Sequence, residues 1–160
     1  GAGKGRAVML ASEAPFAACI GVEINPGLAQ IASGNLEKWR ALDRSISPAT
    51  ICCQDATAFQ FPSGACVVYL FNPFSGAVLK RLIEHIQATF EDRRGQLDLL
   101  YVNPEFEFLL YQNRGFSRLW EQRMKMSPAD AAYDGAILGG GEYGTSGNEP
   151  CTAWRWIGHH

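Results

Sequence analysis

Two segments decide the fold of this chain: the glycine-rich stretch Gly1-Ala2-Gly3-Lys4-Gly5-Arg6 and, shortly after it, Gly21-Val22-Glu23. Glycines lack a Cβ, so such a turn can take positive φ angles and a ligand can lie against its backbone. Between the two segments, apolar residues at helical spacing predict a helix that begins near Lys4 and packs on a sheet: Ala7, Leu10, Ala11 and Ala14. The run 18–23 predicts a buried strand that ends in the carboxylate of Glu23. In α/β domains, this succession holds a nucleoside-containing ligand.

The spacing within the turn narrows the class of ligand. A dinucleotide-binding turn has glycine at the sixth position, where this chain has Arg6. A P-loop needs a hydroxyl residue after its lysine, and Gly5 follows Lys4. An NAD(P)-linked oxidoreductase therefore stays as an alternative that Arg6 argues against. The first N–H groups of the following helix have no partner within it and would suit a carboxylate or a phosphate.

The pattern G-x-G-x-G followed by an acidic strand end resembles motif I and its acidic partner in the class I S-adenosylmethionine-dependent methyltransferases. The resemblance implies that the turn holds the methionyl part of S-adenosyl-L-methionine, through Gly1, Ala2, Gly3 and Gly5. It also implies that Glu23 holds the ribose and that the adjacent Ile24 contacts the cofactor. In that family a strand precedes the turn, so we expect an N-terminally truncated fragment whose first strand lies upstream of Gly1.

Length and composition set further limits. A chain of 160 residues predicts one domain over 1–160. The net charge of −2 gives no broad electrostatic footprint for nucleic acid, and no apolar run approaches the roughly 20 residues of a membrane helix. The five cysteines include no C-x-x-C pair and predict thiols in a reducing cytoplasm: Cys19, Cys52, Cys53, Cys66 and Cys151. Cys19, Cys52 and Cys66 are expected to be buried. Neither they nor the three histidines (His85, His159 and His160) form a metal-site pattern.

A second helix and a second strand follow. Asn25-Pro26 is a helix start, and the helix is expected to run to about Arg40. The strand over 50–56 ends in Asp55-Ala56. The methyltransferase resemblance implies that Asp55 and Ala56 contact the adenine of the cofactor. The alternative is that Asp55 only caps the next turn.

The most apolar segment is 65–71, which predicts a central parallel strand with both faces buried. It ends in Asn72-Pro73-Phe74, and Ser75 then caps a helix. The apolar face of that helix consists of Val78, Leu79, Leu82, Ile83, Ile86 and Phe90.

Asn72-Pro73-Phe74 is similar to the Asn/Asp-Pro-Pro-Tyr/Phe tetrapeptide of amino methyltransferases. The resemblance implies that the Asn72 amide oxygen and a backbone carbonyl accept hydrogen bonds from the target amino group. Phe74 would stack on a planar substrate, and Asn72 also counts among the cofactor contacts. This chain has one proline where the family has two, which leaves the acceptor open, and a plain Asn-Pro turn is the alternative.

The remaining segments complete the pattern. We expect a strand over 97–103 that ends in a second Asn-Pro turn at Asn103, a short helix over 105–113 and an edge strand over 116–124. A mobile glycine-rich loop over 139–150 and a strand over 152–157 that pairs antiparallel beside 97–103 follow. The sequence thus predicts an α/β three-layer sandwich with a Rossmann-like, mostly parallel sheet, a C-terminal antiparallel hairpin and a missing first strand.

The predicted activity is S-adenosylmethionine-dependent methyl transfer to an acceptor that the sequence does not identify, with an amino nitrogen as one candidate. A non-catalytic cofactor-binding domain that acts through a partner is the alternative from another class. The oligomeric state does not follow from the sequence.

Overall fold

The computed structural model describes residues 1–125 and 148–158 and has an α/β architecture. The chain divides into two compact units, unit 1 (Gly1–Gln60) and unit 2 (Phe61–His160). Each unit is built around its own sheet, with two strands in unit 1 and four in unit 2. None of the helices in the described part of the chain is long and apolar enough to cross a bilayer.

Unit 1 contains a parallel pair of strands with two helices packed on it. Its elements are α1 (Arg6–Ala11), β1 (Cys19–Glu23), α2 (Pro26–Ala41), β2 (Ala49–Cys53) and a 3-10 turn (Ala56–Ala58). The register places Cys19 opposite Ala49 and Glu23 opposite Cys53. Val8 of α1 and Leu36 of α2 pack with strand residues in one core cluster. The sequence prediction of this strand–helix–strand succession is confirmed.

Helix α1 differs from its prediction in start and in orientation. It has only six residues and begins at Arg6, because Gly5 takes a left-handed conformation with φ 85° and acts as the N-cap. Ala7 and Leu10, predicted to face the sheet, are exposed, and Val8 and Ser12 are buried in their place. Ala11 packs against the core cluster and Ala14 is half-buried, so the predicted stripe is correct in part.

Helix α2 begins and ends close to the predicted positions. The Asn25 side-chain oxygen accepts a hydrogen bond from the backbone N–H of Leu28 at 3.1 Å, and Pro26 is the first helical residue. This is the N-cap arrangement that the Asn-Pro pair predicts. The helix ends at Ala41.

Unit 2 contains a four-stranded sheet with strand order β3-β4-β6-β5. Its elements are β3 (Cys66–Phe71), α3 (Gly76–Phe90), β4 (Leu97–Val102), α4 (Phe108–Tyr111), β5 (Phe116–Lys125) and β6 (Asn148–Trp156). Strands β3 and β4 are parallel, and β6 is antiparallel to both β4 and β5. The predicted C-terminal hairpin and the predicted edge strand are therefore confirmed. Of the predicted loop over 139–150, the last three residues belong to β6 and the rest lie outside the described residues.

Helix α3 supplies much of the unit 2 core, as its apolar period predicts. Its predicted face is buried except for the half-buried Val78. Trp154 and Trp156 of β6 belong to the same core cluster. The Trp156 indole donates to the backbone oxygen of Phe90 at 2.7 Å, which satisfies a polar group in that core.

The prediction that both faces of β3 are buried is wrong. Val67, Tyr69 and Phe71 alternate along the strand and are 52%, 47% and 50% exposed, whereas Leu70 is 5% exposed. Leu70 belongs to the core cluster with α3, and Cys66 and Val68 pack against that cluster. In the described part of the chain β3 pairs with β4 alone, so it is an edge strand of its sheet. An unbroken apolar run indicates burial, but it does not show which face a helix covers.

All five cysteines are free thiols. Cys19 is buried as predicted, whereas Cys52 and Cys66 are only partly buried. Burial raises the pKa of the Cys19 thiol above its ordinary value.

Candidate functional site

The glycine turn of unit 1 is held against β1 by its own backbone. The N–H of Ala2 donates to the oxygen of Val22 at 2.9 Å, and the N–H of Gly5 closes the turn on the oxygen of Ala2 at 3.0 Å. Gly3 and Gly5 both have positive φ angles, 55° and 85°. A Cβ on Gly5 would lie 3.1 Å from the Ala32 Cβ of α2, whereas a Cβ on Gly3 would meet nothing within 4 Å. Gly5 therefore serves packing, and Gly3 leaves open space beside the turn.

Gly21 of β1 meets a packing requirement that we did not predict from the sequence. A Cβ at this position would lie 2.7 Å from both the Val8 Cγ2 of α1 and the Ile51 Cδ1 of β2, which is closer than real Cβ contacts. The missing side chain lets α1, and with it the turn, approach the strands. The sequence signal was present, since a glycine inside a strand marks close backbone approach.

Glu23 holds the turn and the start of α2 together. Its Oε2 accepts the N–H of Gly3 at 2.8 Å, its Oε1 accepts the N–H of Asn25 at 3.0 Å, and the residue is only 5% exposed. Burial would by itself raise the pKa of this carboxyl. The backbone N–H groups of Asn25, Gly3 and Ile24 oppose this effect, and the pKa lies below its ordinary value. Since each oxygen has a second lone pair, the ribose role stays a prediction beside this structural one.

Asp55 lies past the end of β2, next to the end of β1. The N–H of Gln54 donates to the oxygen of Glu23 at 3.1 Å, so both acids belong to the same end of the parallel pair. The Asp55 Oδ1 accepts from the N–H and the hydroxyl of Thr57 at 2.8 and 2.9 Å and caps the 3-10 turn that Ala56 begins. Asp55 therefore caps this turn, as the alternative interpretation expects. The adenine role of Asp55 and Ala56 stays a prediction. The neighbouring Ile24 is exposed.

In unit 2, Asn72-Pro73-Phe74 follows directly on β3, as predicted. The N–H of Asn72 donates to the oxygen of Val102 at 3.1 Å, so β3 and β4 end side by side. Asn72 has a φ of 36°, which is uncommon for a residue other than glycine and is further disfavoured before proline. Phe74 packs against the α3 core cluster, so its ring is fixed and only partly exposed.

Two side chains that the sequence did not single out contact the Asn72 amide. The Tyr101 hydroxyl donates to the Asn72 Oδ1 at 3.1 Å, and the Asn72 Nδ2 donates to the Glu105 Oε2 at 3.0 Å. Tyr101 is in β4, and Glu105 comes just after the second Asn-Pro pair. That repeated Asn-Pro pair at the end of the adjacent parallel strand was the available signal.

Asn103 forms a turn, as the sequence favours. Its φ is 49°, its N–H donates to the oxygen of Pro150 at 2.8 Å, and its own oxygen accepts the N–H of Glu105 at 2.8 Å. This turn brings Glu105 back towards the end of β3. Over residues 1–125 and 148–158, no group of three histidine, cysteine, aspartate or glutamate side chains is placed to hold a metal ion.

A concavity of about 480 Å³ in unit 2 lies at the other end of the sheet. It is lined by Glu91, Asp92, Arg94, Gln96 and Trp156. These residues precede the start of β4 or end β6, so they are remote from Asn72 along the strands. In parallel α/β sheets ligands bind at the carboxyl ends of the strands, which favours the Asn72 end as the site.

Comparison with known proteins gives structural likeness alone. No protein-family model matches the sequence, and no curated protein matches it. Solved structures match over nearly the whole chain at low identity. Sp1610 from Streptococcus pneumoniae, provisionally named a tRNA methyltransferase, has a TM-score of 0.62 and 14% identity; the match covers 100% of this chain and 63% of Sp1610.

Two further structures show the range of proteins with this fold. Magnesium protoporphyrin IX methyltransferase from Synechocystis PCC 6803, solved with bound S-adenosylhomocysteine, has a TM-score of 0.62 and 13% identity over 98% of this chain and 71% of its own. The cyclase SpnF has a TM-score of 0.64 and 14% identity, and the match covers 99% of this chain and 74% of SpnF. The chain therefore has the Rossmann-like fold of class I S-adenosylmethionine-dependent methyltransferases.

Proposed function

We propose that this protein binds S-adenosylmethionine and transfers its methyl group to an acceptor nitrogen that carries an N–H. The observation that carries the proposal is the Asn72 amide, which lies at the carboxyl end of β3 within a methyltransferase fold and is hydrogen-bonded to Tyr101 and Glu105. We infer a cytoplasmic location from the free thiols.

The residues of unit 1 fit such a cofactor. The turn leaves open space at Gly3, and Glu23 keeps a lone pair on each oxygen. In this proposal the turn residues Gly1, Ala2, Gly3 and Gly5 hold the methionyl end, Glu23 holds the ribose, and Asp55 and Ala56 hold the adenine. Ile24 contacts the cofactor beside Glu23. When bound, the cofactor supplies a methyl group already activated by its sulfonium. The protein then has to align a nucleophile, which is a matter of proximity and orientation.

On the acceptor side, the Asn72 Oδ1 has one lone pair beyond the one that Tyr101 occupies. An N–H of the acceptor can donate to it, which turns the nitrogen lone pair in a defined direction. Phe74 offers the exposed part of a fixed ring to a planar acceptor.

Methyl transfer tests this proposal directly. The full chain would be given tritiated S-adenosylmethionine with three separate acceptor pools: total RNA, unfolded protein and small primary amines. We expect incorporation in one pool, and we expect Asn72→Ala to lower it about tenfold or more while the dissociation constant of S-adenosylhomocysteine stays within a few-fold. Gln112→Ala, an exposed position of the same unit, is the matched control. If Asn72→Ala transfers methyl groups at the parental rate, Asn-Pro-Phe is only a turn and has no role in acceptor binding.

The ribose role of Glu23 needs a sharper test, because removing this carboxylate also releases the turn. Calorimetry would compare S-adenosylhomocysteine with its 2′-deoxy analogue on the parent and on Glu23→Ala. If Glu23 binds the ribose, the parent distinguishes the two ligands by about tenfold, as expected for a lost hydrogen bond to a charged group, and the variant does not. Equal discrimination by both proteins would contradict the assignment.

A second candidate is a non-catalytic cofactor-binding domain that acts through a partner. SpnF, named as a cyclase, has a similar fold, so the fold does not by itself imply methyl transfer. Binding of S-adenosylhomocysteine with no incorporation in any of the three pools would select this candidate.

A further inference from the structure

The side-chain amide of Asn72 is bonded at both of its ends. Its Nδ2 donates to the Glu105 carboxylate at 3.0 Å, and its Oδ1 accepts from the Tyr101 hydroxyl at 3.1 Å. A carboxylate only accepts hydrogen bonds, so the contact with Glu105 fixes which end of the amide is nitrogen. The two bonds therefore select one of the two orientations related by a 180° rotation of the amide.

Tyr101 is well placed to act as the donor in this arrangement. It is 1% exposed, it pairs with Leu70 across β3 and β4, and its ring belongs to the unit 2 core cluster. Burial raises the pKa of the phenol, the backbone N–H of Phe106 opposes the shift, and the carboxylates of Glu105 and Glu107 add to it, so the pKa lies above its ordinary value. The hydroxyl thus keeps its proton at neutral pH and donates a hydrogen bond to the Asn72 Oδ1.

The loop that carries Glu105 is itself fixed. The Glu105 N–H closes a turn on the oxygen of Asn103, and the adjacent Phe106 ring packs on the start of α3. A Cβ on Gly76 would lie 3.1 Å from the Phe106 ring, so this glycine allows the close contact. Tyr101 is therefore held in the core of unit 2, and the backbone on either side of the exposed Glu105 side chain is held by this turn and by the Phe106 contact.

We propose that Tyr101 and Glu105 are positioning residues that hold the Asn72 amide in the orientation required by the methyl acceptor. The proposal rests on the proposed function and adds how its acceptor site is set. Of the four hydrogen-bonding positions of the amide, one lone pair of Oδ1 and one N–H of Nδ2 remain for the acceptor. A rotated amide would present an N–H where the N–H of the acceptor has to donate, and the two donors would repel each other. The geometry favours an uncharged nitrogen acceptor with at least one N–H.

The first part of the test measures the mobility of the Asn72 side-chain amide by NMR, with no methyl acceptor present. In nitrogen-labelled full chain, the Asn72 side-chain amide is assigned by its loss in Asn72→Ala, and its mobility is compared with that of the exposed Gln122 amide. We expect a rigid Asn72 amide in the parent and a mobile one in Tyr101→Phe, which keeps the buried ring and removes only the hydroxyl. A parent amide as mobile as that of Gln122 overturns the proposal.

The second arm reads methyl transfer from tritiated S-adenosylmethionine to the RNA, protein and amine pools. We expect Tyr101→Phe and Glu105→Ala each to lower the rate of methyl transfer about tenfold or more. The dissociation constant of S-adenosylhomocysteine should stay within twofold of the parental value. Glu105→Gln should retain activity, because its side-chain oxygen still accepts the hydrogen bond from Asn72. In an Asn72→Ala background, Tyr101→Phe should have no further effect, since Tyr101 acts through Asn72. Tyr111→Phe, an exposed tyrosine of the same unit, is the control.

The outcomes separate the two proposals. Parental transfer by Tyr101→Phe, or an undiminished effect of Tyr101→Phe in the Asn72→Ala background, overturns the positioning role while the proposed function stands. A rigid parent amide with no transfer to any pool overturns the proposed function, and the contacts of Tyr101 and Glu105 are then only those of a structured loop.

Discussion

Glu23 is a carboxylate with almost no exposed surface whose two oxygens already accept backbone N–H groups. At the residue scale it joins the glycine turn to β1 and to the start of α2. Because these N–H groups favour the charged form, the pKa of the carboxyl lies below its ordinary value. This side chain therefore contributes to the stability of unit 1 whether or not it also binds a ribose.

We expect Glu23→Gln to lower the free energy of unfolding at pH 7 by about 1.5–3 kcal/mol, the value of hydrogen bonds to a charged group. Because the pKa is lowered on folding, the contribution is present above about pH 4.5, the ordinary value, and is lost as the pH falls through the folded pKa. Urea unfolding of the parent and the variant from pH 7 to pH 3 would measure this, with the exposed Glu37→Gln as control. A constant difference across that range would contradict the assignment.

Gly21 gives a second prediction at the residue scale. In Gly21→Ala the new methyl group would overlap Val8 and Ile51, so we expect a loss of about 1–3 kcal/mol in unfolding free energy. Gly34→Ala is the matched control, because a Cβ there meets nothing within 4 Å and alanine favours the α2 helix. Chemical denaturation should show the first variant destabilised and the second equal to the parent or more stable. Equal stability of both variants would show that α1 can move away from the strands.

At the scale of elements, β3 has two faces with different surroundings. Val67 is half exposed, whereas its neighbour Val68 packs against the core cluster under α3. We expect Val67→Thr to change the unfolding free energy by less than about 0.5 kcal/mol and Val68→Thr to cost about 1 kcal/mol or more, because only the second buries a hydroxyl. The two substitutions are chemically identical and both residue types favour strands, so each controls for the other. A large cost at Val67 would show that this face of β3 is covered.

At the scale of the whole molecule, ligand binding distinguishes a methyltransferase fold with a working cofactor site from a nicotinamide-binding protein. A ligand present at 100 times its dissociation constant stabilises the folded chain by about 2.7 kcal/mol, which raises the melting temperature by about 5–10 °C. We expect this shift with S-adenosylhomocysteine and none with NADH or NADPH. Thermal denaturation monitored by circular dichroism would measure it, with adenosine as a control for weak nucleoside binding. A shift with NADPH alone would favour the oxidoreductase alternative.

The sequence by itself determined the elements and their types, because those signals are local. The Asn25-Pro26 start of α2 and the buried stripe of α3 depend on neighbours within one or two turns. The alternation of β6 likewise predicted its antiparallel position beside β4. The placement of Glu23 and Asn72 at strand ends followed from the same local patterns.

The tertiary structure alone decided which groups meet. Gly3 and Glu23 are 20 residues apart, Asn72 and Tyr101 are 29 apart, and Asn72 and Glu105 are 33 apart. No local period encodes such pairs, since they depend on how strand ends and loops come together. The exposed face of β3 has the same cause, because hydrophobicity indicates that a residue can be buried, whereas only packing determines which face a helix covers.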